Sequence, residues 1–220
     1  MAYIDFLSPT HKSTKRDYLG RVNGMPKARA AELALKFAYE YWDGDRQTGY
    51  GGYRYDGRWR VVAQAMVNQY GLKAGDSVLD VGCGKGFILY DLMQIVPGLK
   101  VQGIDISTYA LENAKEEVKP YLREASAVKL PFPDKSFDFV LSLNALHNLY
   151  CYELDSALRE MERVGQRNKY LCVESYRNEE EKANLLYWQL TCRMFCTPQE
   201  WEWWFKQCGY TGDHSFIYFE

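Results

Sequence analysis

The chain has 220 residues, enough for one domain with a full hydrophobic core and an appendage. Hydrophobic content of 47%, charged content of 25% and a net charge of −2 give no bulk basic surface to draw the chain toward nucleic acid or anionic membrane. No apolar run reaches the roughly 18 residues of a membrane span. The opening MAYIDFLSPTHKSTKR has no apolar signal-peptide core. The expected location is cytoplasmic, with six reduced cysteines, none in a CxxC spacing, and no structural metal.

In chain order, residues 1–24 read as a polar arm. Pro26 suits the first turn of a helix running through KARAAELALKFAYEYW to Gly44. The next stretch, YWDGDRQTGYGGYRYDGRW (41–59), is neither helix nor strand. Its five glycines would each cost a helix about 1 kcal/mol relative to alanine, and its apolar residues do not alternate. The helix WRVVAQAMVNQY follows and closes at Gly71.

From there strands and helices alternate. SVLDVG (77–82) is a strand, 87–96 a helix and KVQGID (100–105) a strand. Ser107 caps the helix TYALENAKEEVKPYL. A weak strand at 124–128 and a clear one at 137–143 come next. A helix closed by Gly165, the strand KYLCVESY (169–176) and an acidic-started helix, NEEEKANLLYWQL, follow. A capping box at Thr197 and Glu200 opens the last helix, and HSFIYF is the final strand. The alternation predicts an α/β fold: a doubly wound, mainly parallel sheet of six or seven strands over residues 61–220, preceded by an arm, helix and lid over residues 1–60.

The chemistry concentrates in VLDVGCGKGF (78–87). A buried strand passes Asp80 and turns through Gly82, Gly84 and Gly86 into a helix, at a strand end where such sheets bind ligands. A dinucleotide fingerprint requires G-x-G-x-x-G, whereas here the third glycine falls one residue early and position 87 is Phe. Asp105 ends the next strand, about where a carboxylate grips ribose hydroxyls.

These residues, together with LPFPDKSFDFVLSLNALHNL (130–149), resemble the class I S-adenosylmethionine-dependent methyltransferases from about Gly71 to the C-terminus. The resemblance implies S-adenosyl-L-methionine as cofactor and S-adenosyl-L-homocysteine as product. Asp80 and the loop of Gly82, Cys83, Gly84 and Gly86 would surround the methionine part, with Cys83 read as a small packing residue rather than a nucleophile. Asp105 would hold the ribose and Ile106 would pack on the adenine. The family's adenine-facing acidic position is Ser126 here, a departure that leaves the Ala127 backbone N–H for that contact. Asn144 falls at the methionine end. His147 follows the fourth strand, where the acceptor would meet the methyl, and reads either as a helix-start histidine or as a general base.

The stretch 41–59 then reads as a lid that recognises the acceptor. Tyr50 and Tyr53 would wall the reacting centre, with Tyr55 beside them, and Arg46 and Arg58 would grip a carboxylate or phosphate. Glu174, Tyr176 and Arg177 close the far side. The expected activity is methyl transfer to O or N of a small polar molecule, anionic or sugar-like. A protein or RNA acceptor, or cofactor binding without turnover, are the alternatives.

Overall fold

The computed structural model describes residues 1–12 and 16–220; residues 13–15 of the expected arm lie outside the described residues. Six strands form one sheet: β1 (Ser77–Val81), β2 (Lys100–Asp105), β3 (Leu122–Glu124), β4 (Phe137–Leu143), β5 (Gly165–Glu174) and β6 (Asp213–Ile217). Their spatial order is β3-β2-β1-β4-β5-β6, and every pairing is parallel. The chain winds outward from β1 to β3, then returns to lay β4 against the other side of β1. The loops leaving β1 and β4 therefore diverge, which opens a crevice at the carboxyl ends of the strands.

The helices are α1 (Ser8–Lys12), α2 (Tyr18–Asn23), α3 (Lys27–Ala34), α4 (Tyr39–Trp42), α5 (Trp59–Tyr70), α6 (Phe87–Ile95), α7 (Thr108–Glu112), α8 (Cys151–Val164), α9 (Glu179–Trp188) and α10 (Pro198–Gln207). The central strands are apolar on both faces, because both faces are covered. On one side Val62 and Met66 of α5 and Leu89 and Leu92 of α6 pack on Val78 and Phe139. On the other, Leu154 and Met161 of α8 and Trp201 and Phe205 of α10 pack on Leu79, Val140 and Leu171. No helix among the described residues is long and apolar enough to cross a membrane.

Three elements depart from the sequence pattern. The expected helix of residues 27–42 is broken in two, with Phe37 in the left-handed region at φ 48°. The freed carbonyl of Phe37 accepts from Trp42 Nε1 at 3.1 Å and from the Ser107 hydroxyl, so the break anchors the start of the lid to the cap of α7. The expected helix of residues 108–122 stops after Glu112 and resumes as a single 3-10 turn at Lys119–Tyr121, where Pro120 removes a backbone donor. The weak strand lies at 122–124 rather than 124–128. At the far edge, residues 2–4 run beside β6, with Ile4 N donating to His214 O at 2.9 Å and His214 N to Ala2 O at 3.0 Å.

Candidate active site

The loop after β1 is fastened to the strand beside it. Gly82 N and Cys83 N both donate to Ile104 O, at 2.8 and 2.9 Å. Gly84 has φ 53°, and a Cβ there would stand 2.8 Å from Trp42 Cη2. A Cβ on Gly82 would stand 2.3 Å from the Cβ of Ala145. Asp105 ties the loop from β2: Oδ2 accepts from Gly84 N at 2.7 Å and Oδ1 from Ser107 N at 2.8 Å. Each of these oxygens keeps a second lone pair for a hydroxyl donor.

Asp80 lies beneath the loop, 2% exposed, and its Oδ1 has no hydrogen-bond partner. Burial, reinforced by Asp105, pushes its carboxyl up to about 8. An isolated buried carboxylate of this kind is costly without a cationic partner. A cavity of about 160 Å³ opens here. Asp80, Gly82, Cys83, Gly84, Asp105, Ile106, Ser126, Ala127 and Asn144 all line it, while Gly86 stands behind it as the N-cap of α6. Ile106 is 55% exposed, an apolar side chain left facing solvent at the rim.

Residues 41–59 fold over this loop. Trp42 stacks on Tyr50 with ring centroids 5.5 Å apart, Tyr50 meets Tyr53 at 4.6 Å, and Tyr53 stacks on Phe87 at 4.9 Å. Trp42 Nε1 also donates to Ser107 Oγ at 2.9 Å. A charge pair completes the attachment. Lys85, inside the glycine motif and only 4% exposed, donates to both carboxylate oxygens of Asp43, at 2.8 and 2.6 Å, and Tyr109 donates to the same carboxylate at 2.9 Å. Sequence reasoning missed this pair. A lysine inside a glycine loop and the aspartate that ends YEYWD signal nothing until the fold brings them together.

A second cavity, of about 430 Å³, adjoins the first. Tyr41, Tyr50, Tyr53, Trp59 and Asn144 line both. Arg46, Arg58, His147 and Glu174 also line the second cavity, which thus holds most of the expected acceptor-side residues. Tyr55, Tyr176 and Arg177 do not line it, which corrects the expectation that they face the acceptor. Tyr55 OH donates to Asp91 at 2.6 Å, Tyr176 is buried, and Arg177 pairs with Glu181 and Glu220. Arg16, Arg21, Trp188 and Gln189 line the cavity and were not anticipated. They come from the arm and from the end of α9, which no local pattern connects to the glycine loop.

At the junction Asn144 holds the left-handed conformation, φ 57°, with its side-chain Oδ1 buried and unpartnered. Such a conformation costs a non-glycine residue about 1–3 kcal/mol and is kept where surrounding structure enforces it. Beyond it, His147 Nδ1 accepts from Glu174 N at 3.4 Å, and Nε2 stands 3.4 Å from Glu174 Oε2. Burial lowers His147 to about 3, so the ring is neutral and a weak base. Burial raises Glu174 from the ordinary glutamate value to about 8, opposed by a bond from Gln189 and by the charge of Arg16. Of the two, the carboxylate is the stronger proton acceptor. Among the described residues, no three His, Cys, Asp or Glu side chains converge to hold a metal ion.

With this geometry established, comparison with known proteins is direct. Residues 79–173 match the family described as methyltransferase domain. The demethylmenaquinone methyltransferase of Symbiobacterium thermophilum is 35% identical over 128 residues, covering 54% of this chain and 50% of that protein. The chain spans about half the length of the first curated relatives it matches. Among solved structures, the YcgJ protein of Bacillus subtilis superposes with a TM-score of 0.55 at 22% identity, covering 66% of each chain. A chain from the complex of the Haloferax volcanii Trm112 methyltransferase activator with a methyltransferase gives 0.57 at 19% identity, over 89% of this chain and 77% of that one. The methyltransferase-domain match and the methyltransferase relatives, together with the all-parallel six-stranded sheet, support a class I, Rossmann-like S-adenosylmethionine-dependent methyltransferase.

Proposed function

We propose that the protein transfers a methyl group to an oxygen or nitrogen of a small polar molecule bound in the 430 Å³ cavity. The observation that carries this reading is the shared wall: the cavity at the glycine loop and the second one are both lined by Tyr50, Tyr53 and Asn144. In this reading residues 1–60 serve as arm, helix and lid, and residues 61–220 as the methyltransferase domain.

The residues at the glycine loop fit S-adenosylmethionine. The unpartnered buried carboxylate of Asp80 suits a cationic ligand, the remaining lone pairs of Asp105 suit ribose hydroxyls, and Ile106 offers an apolar face to the adenine. When bound, the cofactor supplies an electrophilic methyl group on a sulfonium. Tyr50 and Tyr53 contribute aromatic walls, which favour a nearby cation by about 1–2 kcal/mol when water is excluded. Burial raises both of their hydroxyls, so they stay protonated and serve as walls and hydrogen-bond donors rather than bases.

Glu174 accepts the proton that leaves the acceptor oxygen or nitrogen. His147, held between the backbone and side chain of Glu174, positions that carboxylate. The quinone acceptor in the name of the Symbiobacterium relative does not carry over readily. Of the residues lining the second cavity, only Asn144 and His147 fall within the matched segment 79–173. The test is methyl transfer from labelled S-adenosylmethionine to a panel of small hydroxy and amino compounds, run beside calorimetry of cofactor binding. Tight binding with turnover on a member of the panel supports the reading. Absence of binding rejects it, and binding without turnover on small molecules favours a macromolecular acceptor or a non-catalytic role.

A further inference from the structure

We infer that the acceptor is an anion, whose carboxylate or phosphate group is held by Arg21 and Arg46 where they gather on Trp188. This deepens the methyltransferase reading and rests on it for the role of the cavity. The Arg21 guanidinium carbon lies 4.7 Å from the Trp188 ring centroid, that of Arg46 5.1 Å and that of Arg16 5.6 Å. The three come from different parts of the chain, the lid, α2 and the segment before it, so no local pattern explains their meeting. All three line the second cavity and none lines the cavity at the glycine loop. The cluster thus sits on the acceptor side alone.

Like charges this close repel, and something must offset the cost. Trp188 attracts each cation through its ring face but does not cancel charge. Several other arginines of this protein are neutralised: Arg58 by Asp56, Arg163 by Asp134 and Glu160, Arg167 by Asp76 and Asp138. Among the described residues, no carboxylate forms an ion pair with Arg21 or Arg46. Their N–H groups go to neutral carbonyls instead. Arg21 Nε donates to Trp188 O at 3.1 Å and Nη1 to the carbonyls of Arg46 and Gly49, while Arg46 Nη1 donates to Tyr50 O at 2.6 Å. The carbonyl bonds fix the guanidinium planes without neutralising them, and burial together with Arg46 lowers Arg21 to about 10.

Among the described residues lining the cavity, only Asp56 and Glu174 are acidic, and neither forms an ion pair with Arg21 or Arg46. Of its two acidic residues, Asp56 is committed to Arg58, and Glu174 lies with His147 and Gln189. A planar oxyanion entering the cavity meets the N–H groups that these carbonyl bonds leave over, on Arg21 Nη2 and on Arg46, as charge-assisted donors. Gln189, next to Trp188, bonds Glu174, so one short segment joins the anion grip to the proposed proton acceptor. The acceptor class this describes is a small molecule with an anionic group at one end and an O–H or N–H at the other.

The test is calorimetric titration with inorganic phosphate and, separately, malonate, at ionic strength held constant with sodium chloride, with and without S-adenosylhomocysteine. At least one anion is expected to bind, and the preference between them distinguishes a phosphate from a carboxylate. Arg46→Gln should weaken that binding by about tenfold or more, the scale of a lost charge-assisted hydrogen bond, while affinity for S-adenosylhomocysteine and thermal stability stay unchanged. Arg21→Gln gives an independent arm from α2. Anion binding equal in the wild type and both variants, or none beyond chloride, overturns the inference. Binding of S-adenosylhomocysteine without an anion response rejects the anion grip and keeps the methyltransferase reading. An anion response without S-adenosylhomocysteine binding does the reverse.

Discussion

The two cavities share five residues and are built in opposite ways. The glycine-loop cavity has a floor of strand ends, the loop after β1, the end of β2 and the turn after β4, under a cover of aromatic side chains from residues 37–59. The acceptor cavity is assembled from segments near residues 7–21, 41–59, 144–147, 174–191 and 217–219, and is shaped by side chains. Backbone geometry set by sheet topology tolerates few changes. A pocket made of side chains from distant loops is free to differ among proteins that share the fold. The segment that matches the family model, residues 79–173, accordingly supplies most of the lining of the glycine-loop cavity, while the lining of the second cavity lies mostly outside it.

The largest expected effects fall on the backbone cradle. Asp105→Ala removes two charge-assisted bonds to a ligand, each worth about 1.5–3 kcal/mol, and also releases Gly84 N. Affinity for S-adenosylmethionine should fall by about a hundredfold or more. Gly84→Val should abolish binding, since its Cβ meets Trp42 at 2.8 Å and valine resists φ 53°. Normal calorimetric affinity in either variant would break the assignment of the cradle.

On the acceptor side, Glu174→Gln should leave cofactor affinity intact and slow turnover by about 10²–10⁴-fold, the range for a lost general base. Wild-type turnover should rise with pH as Glu174 loses its proton, with a midpoint near about 8, and the variant should lose that rise. His147→Asn should slow turnover less and shift that midpoint. An unchanged pH profile in both variants would remove the pair from the chemistry.

Where the two regions meet, Asp43→Asn leaves the Lys85 ammonium buried beside a neutral amide. The loss of a buried pair costs about 3–5 kcal/mol, nearer the lower end because Asp43 is 20% exposed. The melting temperature should fall, and amide hydrogen exchange across 41–59 should speed up more than exchange in β4. Equal acceleration everywhere would mean that the pair braces the whole fold rather than the lid.

A further expectation concerns pH and stability. Glu174 and Asp80 are each raised to about 8 in the folded protein, against ordinary values of 4.5 and 3.8. Between those limits the folded state keeps protons that the unfolded chain has released, so the contribution of these two groups to stability is full below about pH 4 and declines as pH rises toward 8. Denaturant unfolding across this window should show the decline. Glu174→Gln should reduce it, and a cationic ligand beside Asp80 should reduce it further. A pH dependence of stability that Glu174→Gln leaves unchanged would contradict the assignment of Glu174.

Much of the cofactor side was legible in the sequence because its signals are local. The run from Asp80 to Gly86 and the terminal Asp105 lie within 26 residues, and strand–turn–helix chemistry fixes their relative positions. The break at Phe37 was not legible, because its carbonyl is satisfied by Ser107, 70 residues away. Arg46 and Glu174 were found from residue type and strand position. Arg21 and Trp188 were missed because packing of α2 against α9, not any spacing, brings them together. Tyr176 and Arg177 misled for a related reason. They come just after Glu174, the last residue of β5, but the chain turns there, burying Tyr176 and pairing Arg177 with Glu181 and Glu220.

The central claim is that the cofactor's reacting end faces the arginine-lined cavity through the wall shared by Tyr50, Tyr53 and Asn144. A crystal structure of the protein with S-adenosylhomocysteine measures this directly. The account predicts the adenosine ribose on Asp105 and the product's sulfur at the junction beside Asn144, with open space from there to Glu174. A sulfur pointing away from the second cavity, or a wall that stays closed between the two, would contradict it.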